Sequence, residues 1–451
     1  MRNLIFWARN IGIALSRGDE RCWLLVFFLP YCAKLLENLS YSLSLARRPL
    51  DFAESYAATE WLINYSSGFV RRGLEGEALH ALWRYWSIQP FLGLVFSSVF
   101  VYFVYAAWAW HSSKGLIPRW TLLTTPLIGY PVYVGKIFLR KDVLVLLLIV
   151  VAMTLVVRYH SIFSDGLACF VLSILVITHE VGAFLAIVPV SIMMLLREGS
   201  ASLVGGSNVI FNNDFQSNLE NLGRIFRRAL PSLMWLMLPL ASFASVIIHS
   251  GSESAAVIVA SSWKGAYDPT KEFPGPSGAI AWLGKTLEKD GIPQTNAILN
   301  QQYSGIPYWL ILLIAIVTGI VFIYLSFYSR SAEVAWFFAC SSVVQFVCMA
   351  PLFFIALDHV RWIVLSLNSA FIFTVMTPFA WRDMLYKIFP PPLWLIRIAI
   401  PAFVAPIGLA FWGLQLGPWN AYTWLMSTPA GFILQIYFYL RVIGIIPDLG
   451  K

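Results

Sequence analysis

Charge is what this chain has least of: Asp, Glu, Lys and Arg make up 12% of its 451 residues, where a soluble domain carries about 25%. So little charge cannot coat a water-facing surface, which excludes an all-soluble protein and leaves lipid to cover much of the outside. Cysteine is scarce as well. Cys22, Cys32, Cys169, Cys340 and Cys348 fall in or at the edge of apolar segments, which excludes a disulfide framework and zinc-type spacing. There is no internal repeat, no low-complexity tract and no inverted pair of Gly/Pro-broken helices. Nothing points to nucleic acid, to a cofactor or to a metal. The N-terminal stretch lacks a small-residue cleavage site after an isolated apolar core, so the first span is expected to act as an uncleaved signal anchor.

Apolar residues fill the space that charge leaves. Hydrophobic residues make up 59% of the chain and aromatics 16%, with 19 Trp, which suits spans flanked by aromatic belts. The expected fold class is all-α, a polytopic membrane protein forming one integral membrane domain over residues 1–451. A window of about 19 residues finds spans near 22–43, 91–111, 119–135, 142–158, 164–178, 181–197, 230–249, 307–328, 333–356, 361–380, 391–414 and 420–441. That is about twelve, within about ten to thirteen, because the third to sixth fall short of the roughly 20 residues an upright helix needs.

An even count puts both termini on one side, and Lys and Arg in the short loops favour the cytoplasm for that side. Two long loops then face out, 46–90 and 250–305. The first is expected to hold interface helices at Asp51 to Ile63 and after Gly73, where Leu74, Ala78, Leu82 and Trp86 form one stripe. In the second, a short helix is expected from about Ser277 to Lys289, among Trp263, Tyr267, Phe273, Trp282 and Tyr303, which suit either stacking on sugar rings or anchoring in the bilayer. Arg224, Arg227 and Arg228 of the inner loop read as an anionic-lipid contact.

In this topology the charges that interrupt apolar regions all reach the outer side. They are His179-Glu180, Arg140-Lys141-Asp142, Asp358-His359-Val360-Arg361, and Arg71-Arg72 in a glycine-framed turn. A carboxylate in an apolar run must be partnered or used, since burying an unpaired charge is expensive. Arginines and carboxylates at an outer membrane face suit transfer between lipid-linked substrates. Arginine grips diphosphate oxygens with paired donors, and a carboxylate can take the proton from an attacking sugar hydroxyl.

Several segments resemble known membrane enzymes. The combination of Gly68-Phe-Val-Arg-Arg-Gly-Leu74, Arg140-Lys-Asp142, His179-Glu180 before Val-Gly-Ala-Phe-Leu, and Asp358-His-Val-Arg-Trp362 is similar to Wzy-type or EpsG-like repeat-unit polymerases of bacterial polysaccharide clusters. The interface helices and multi-span body resemble the wider GT-C class of membrane glycosyltransferases. The resemblance implies a bacterial cytoplasmic membrane protein that moves a growing glycan from polyprenyl diphosphate to a lipid-linked repeat unit. Its partners would be the bilayer, a polyprenyl-diphosphate-linked oligosaccharide, and chain-length regulators or other assembly proteins. No Asp-X-Asp follows the first span, and Asp51 and Glu54 stand three apart instead, so a metal-independent mechanism is expected. Glu180 or Asp51 would then be the base, supported by His179, with Asp358 as a further acidic candidate. Arg71, Arg72, Arg140, Lys141, Asp142, His359, Arg361 and Glu54 would bind substrate.

Two other functions share these features: a transferase using a polyprenyl-phosphate sugar, and a flippase or transporter with charges such as Lys34, Arg397 and Glu180 along one path. Each cluster also has a purely structural reading. Arg140-Lys141-Asp142 could mark a helix connection, Asp358 could pair with Arg361, Glu180 with Arg140 or Arg361, and Lys34 with Glu37.

Overall fold

Long runs of Leu, Ile, Val and Phe satisfy their backbone polar groups within helices, and that need is strictest in lipid. The computed structural model describes residues 19–47, 55–87, 89–133, 138–204, 215–266, 275–285, 290–303, 306–355, 358–392, 401, 403–412 and 428–429. It is all-α apart from one two-stranded ladder. The first helices are α1 (Glu20–Ala46), α2 (Tyr56–Thr59), which runs on as a 3-10 turn Glu60–Leu62, α3 (Leu74–Trp86), α4 (Pro90–Ser112), α5 (Arg119–Leu122) and α6 (Tyr130–Tyr133). Next come α7 (Asp142–Arg158), α8 (Ile162–Thr178), α9 (Val181–Val204), α10 (Phe215–Met234), α11 (Met237–Ile248), α12 (Glu253–Ser262), α13 (Gly278–Ala281) and α14 (Ile292–Leu299). After the hairpin β1 (Gln302–Tyr303) and β2 (Ile306–Pro307) follow α15 (Tyr308–Tyr328), α16 (Ala332–Ile355), α17 (His359–Met376), α18 (Phe379–Ile388) and α19 (Val404–Phe411).

Among the described residues six helices are long and apolar enough to cross a membrane: α1, α4, α9 as far as Gly199, α15, α16 and α17. Residues 223–234 and Met237–Ile248 make a seventh if they cross as one unit bent by 53°. Pro239 accounts for the bend, since it has no N–H to offer the carbonyl one turn back. Leu25, Phe96, Phe100 and Val347 are exposed on the outside of this bundle, where lipid rather than water suits them. The protein is therefore polytopic, with six to seven spans among the described residues rather than about twelve.

The difference has physical causes. The expected span at 119–135 is a buried, irregular segment holding only α5 and α6, because Pro126, Gly129 and Pro131 forbid a continuous helix. Helices α7 and α8 have 17 residues each, about 26 Å at 1.5 Å per residue, short of a hydrocarbon core of about 30 Å. Of the last two expected spans, only α19 and a few neighbouring residues belong to the described residues, and 420–441 lies almost wholly outside them.

Helix α17 is the hub of the bundle. It is buried on nearly every side between α16, α7, α9 and the 119–133 segment, so its polar side chains must find partners inside. Asn368 donates to Pro126 O and Val364 O at 2.9 Å each and accepts from Tyr105 OH at 2.8 Å, while Ser369 donates to Leu185 O at 2.8 Å. The broken backbone at Pro126 thus supplies a carbonyl that no regular span could give.

The two long loops fold onto each other over one end of this bundle. Trp263 Nε1 donates to Leu62 O at 2.7 Å, Asn64 Nδ2 to Ser262 Oγ at 2.8 Å, and Ala279 N to Thr59 Oγ1 at 2.9 Å. At Gly278, with φ of 52°, an added Cβ would strike Thr59 Oγ1, so this close seating needs glycine. The expected interface helix at 51–63 is the shorter α2 with its 3-10 extension, the one after Gly73 is α3, and the one at 277–289 is α13 with a 3-10 turn Trp282–Gly284.

Candidate functional site

The break between α8 and α9 places Glu180. His179 closes α8 in an extended conformation (φ −160°, ψ 122°) and α9 starts at Val181, so the Glu180 side chain leaves the helix surface at that end. Opposite stands the Arg71-Arg72 turn. Arg72 has φ of 64°, a left-handed geometry that costs a non-glycine residue about 1–2 kcal/mol. Lys141 holds it there: its Nζ donates to Arg72 O at 2.8 Å and to Glu75 Oε2 at 2.8 Å. The Arg71 N–H donates to His249 O at 3.1 Å.

So held, Arg72 grips Glu180 with two nitrogens, Nε at 2.8 Å from Oε2 and Nη2 on Oε1. Its third nitrogen, Nη1, donates to Glu60 Oε1 at 3.0 Å. Glu60 is completely buried. Its Oε1 also lies 3.2 Å from His179 Nε2 and 3.6 Å from Arg361 Nη2, while Oε2 meets no hydrogen-bond partner. His179 Nδ1 accepts from Val181 N–H at 3.3 Å and stands 3.5 Å from Glu180 Oε2. The imidazole therefore lies between the two carboxylates, with Nε2 also 2.9 Å from Arg361 Nη2.

Arg361, in the first turn of α17, takes both oxygens of Asp142 with Nε at 2.8 and 2.9 Å and reaches Asp358 at 3.4 Å. Arg140 pairs with Asp358 at 2.9 Å and lies over the Tyr56 ring, 5.0 Å from its centroid.

Burial pushes the Glu180 carboxyl up, but Arg72 and the other cations around it hold its pKa well below the ordinary 4.5. Glu60 is likewise raised by burial and driven well down by Arg361, His179 and Arg72. Arg140 and Arg361 outweigh burial at Asp358. Burial first and Arg72 second lower His179 below 6.5, against the pull of Glu180, so it is neutral at neutral pH.

A cavity of about 290 Å³ opens over this network, lined by Arg71, Arg72, Arg140, Glu180, Asp358 and Arg361 together with Tyr56, Trp282, Lys285 and Trp362. Six of the residues singled out in the sequence thus meet at one surface. His179, Lys141 and Asp142 are fully buried behind it and act through the residues in front. His359 turns away, with Nε2 at 3.0 Å from Phe353 O and its ring stacked on Phe353; it does not line the cavity. Asp51 and Glu54 lie outside the described residues. The structural partner of Glu180 is Arg72, in place of Arg140 or Arg361. Lys34 pairs with Glu37 at 2.6 Å and Asp358 with Arg361, as their three-residue spacing suggests.

Glu60 and Lys285 join the site without having been singled out, and Trp282, one of the aromatics read in the second long loop, joins it with Tyr56 and Glu75. Glu60 carries the same signal as Glu180, a lone carboxylate in an apolar run, Tyr56-Ala-Ala-Thr-Glu-Trp-Leu-Ile63.

The charges in front are unequally committed. Glu60, Glu75, Asp142, Glu180 and Asp358 are each engaged by a cation. The Arg71 guanidinium donates to Trp282 O at 2.8 Å, and Lys285 lies over the Trp282 ring at 4.4 Å; among the described residues neither forms an ion pair. Among the described residues no three His, Cys, Asp or Glu side chains converge as a metal-binding group. Two open cations beside a restrained carboxylate can therefore take an anion and, once that carboxylate is freed, a proton. Comparison with protein-family models, with curated proteins and with solved structures yields no match, so the reading of this site rests on its own chemistry.

Proposed function

We propose that this protein is a membrane glycosyltransferase of the polymerase type, which moves a growing glycan from polyprenyl diphosphate to the hydroxyl of a lipid-linked repeat unit at the outer face of the cytoplasmic membrane. One observation carries this reading: among the described residues Arg71 and Lys285 form no ion pair, and they line the same cavity as Glu180, at the end of a bundle of apolar helices. A diphosphate diester brings two negative charges, which these two cations match, and its lipid tail can stay in the bilayer. Trp282 between them offers a ring face to a sugar. A single-phosphate donor would leave one cation unused. Lys34 does not line this cavity, and Arg397 lies outside the described residues.

In the transfer, the acceptor hydroxyl attacks the anomeric carbon, the bond from that carbon to the diphosphate oxygen breaks, and the diphosphate leaves with the electron pair. The hydroxyl proton goes to Glu180. In the resting state Arg72 makes Glu180 a poor base. An incoming diphosphate competes for the same guanidinium, and losing it lets the carboxyl pKa rise toward a useful range. Glu180 would thus be activated by the donor it serves. Purified protein supplied with a lipid-linked repeat unit tests the assignment: chain lengthening should disappear in Glu180→Gln and in Arg72→Ala. Unchanged polymer length and yield in both variants would end it.

A further inference from the structure

Helix α1 runs antiparallel to α4. Glu20 at its start accepts from Arg119 N–H at 3.0 Å, just past the end of α4, while Leu45 and Ala46 at its far end share one apolar cluster with Phe91 and Leu94 from the start of α4. Midway, Tyr31 and Tyr102 meet hydroxyl to hydroxyl. From that level α4 extends for about 18 Å to Pro90, whereas α1 reaches Glu37 after about 9 Å, at 1.5 Å per residue. Glu37 therefore lies well inside the Pro90 end of α4, a helix long and apolar enough to cross a membrane.

Charged side chains inside a membrane almost always face the bundle interior; this one faces out. The Glu37 side chain is 62% exposed, with Oε2 on Lys34 Nζ at 2.6 Å, and its Oε1 accepts no hydrogen bond among the described residues. Ser40, Tyr41 and Ser44 stand three, four and seven positions further on, which puts them on the same side of the helix. All three are exposed. Their hydroxyls form no hydrogen bond among the described residues, although Ser173, Ser341, Ser342 and Ser366 in other helices return to a carbonyl one turn back. A half-used carboxylate thus heads a row of idle hydroxyls on the outside of the bundle, where lipid tails offer Glu37 no partner.

We infer that this stripe joins two copies of the protein, α1 against α1, about a two-fold axis along the membrane normal. Such an axis brings the same residues of both copies to the same depth, so the surface must complement itself. It does so chemically: Glu37 Oε1 accepts, the hydroxyls of Ser40, Tyr41 and Ser44 donate, and each copy supplies what the other lacks. The Lys34–Glu37 pair is neutral as a whole, and the next charge along α1, Arg47, caps the exposed helix end, so two stripes do not repel within the bilayer. Ala33, Ser40 and Ser44 are small enough to let the two backbones approach, and close packing with interhelical hydrogen bonds is what holds helices together in lipid. This contact is independent of the transfer proposed above, and its test needs no activity.

The test uses the full-length protein, cross-linked by oxidation in native membranes and counted by stepwise photobleaching in lipid vesicles. Ser40→Cys should form a disulfide-linked dimer beyond any given by the unsubstituted chain, whose Cys22 and Cys32 also lie on α1. Val347→Cys, at a position of α16 that is 68% exposed, should not. Glu37→Leu should weaken dimerisation about tenfold, and Glu37→Gln, which keeps an acceptor, should preserve it. Ser40→Trp, which leaves the Lys34–Glu37 pair intact, should block it. A monomer at every protein-to-lipid ratio overturns the inference, as does a dimer that survives both Glu37→Leu and Ser40→Trp. Cross-linking at Val347 as readily as at Ser40 puts the contact elsewhere and also overturns it.

Discussion

Two arginine–carboxylate pairs sit about 24 Å apart along α9, by its rise per residue, and they behave differently. Near the end of α9, Arg197 takes both oxygens of Asp165 on α8 at 2.7 and 2.8 Å, and Ser232 of α10 donates to the same carboxylate at 2.5 Å. That cluster does not line the cavity at Glu180. At the start of α9, Arg72 takes both oxygens of Glu180, but the pair borders a cavity with two uncommitted cations, and a second carboxylate, Glu60, waits behind it. The chemistry of the two contacts is the same. A closed pair staples helices together, whereas an open one beside spare charge can be exchanged for a ligand.

That contrast can be broken experimentally. The largest effect is expected at the open pair: Glu180→Gln should cut transfer by about 10²–10⁴, the usual share of a positioned acid or base, while the thermal midpoint in detergent moves little. Activity and unfolding are measured on the same preparation. At the closed pair the pattern should reverse. Asp165→Asn removes the bidentate acceptor of the buried Arg197, which keeps Glu198 at 3.2 Å, and should cost about 1.5–3 kcal/mol of stability, seen as a drop in thermal midpoint with the activity per folded molecule preserved. If Asp165→Asn abolishes activity without lowering the midpoint, the division into staple and site is wrong.

A smaller change is expected from Arg71→Gln. Losing one charged donor to phosphate should raise KM for the lipid-linked donor about tenfold and leave kcat within a few-fold, read from initial rates. Lys285→Gln should act in the same direction and more weakly, because Lys285 is exposed.

Acid should act on stability in two stages. His179 is held below its ordinary 6.5, so the unfolded chain takes up that proton first, and stability begins to fall as the pH drops below about 6.5. Glu60 and Glu180 are held below 4.5; what they contribute is present above that value and is lost as the pH falls through their lowered pKa values. His179→Gln should remove the first stage and keep the second. Thermal midpoints across pH 3 to 8, a range of about five units around these pKa values, would show one stage or two.

The sequence was informative where one property suffices. Helices α1, α4, α15, α16 and α17 match the apolar runs read for them, because a run of about 20 apolar residues leaves a chain in lipid little choice. The same measure failed at 119–135, where apolar content is high but Pro126, Gly129 and Pro131 forbid the helix; that buried segment serves α17 with a carbonyl instead. The cluster at Glu180 was legible as a set of charges in apolar surroundings. Its wiring was not, since choosing Arg72 over Arg140 or Arg361 depends on how the 46–90 loop lands on the bundle.

Sequence alone therefore determined that this is an all-α membrane protein and that its few charges near apolar segments are costly enough to need partners or work. Hydropathy and solvation act locally, residue by residue, and survive being read from a string. Only the tertiary structure decided the span count, brought Glu60 into the network, assigned Arg72 to Glu180, and left Arg71 and Lys285 open. Ion pairing and cavity shape depend on distances between segments more than 100 residues apart, as from Arg72 to Glu180 with a separation of 108, and a string does not contain those distances.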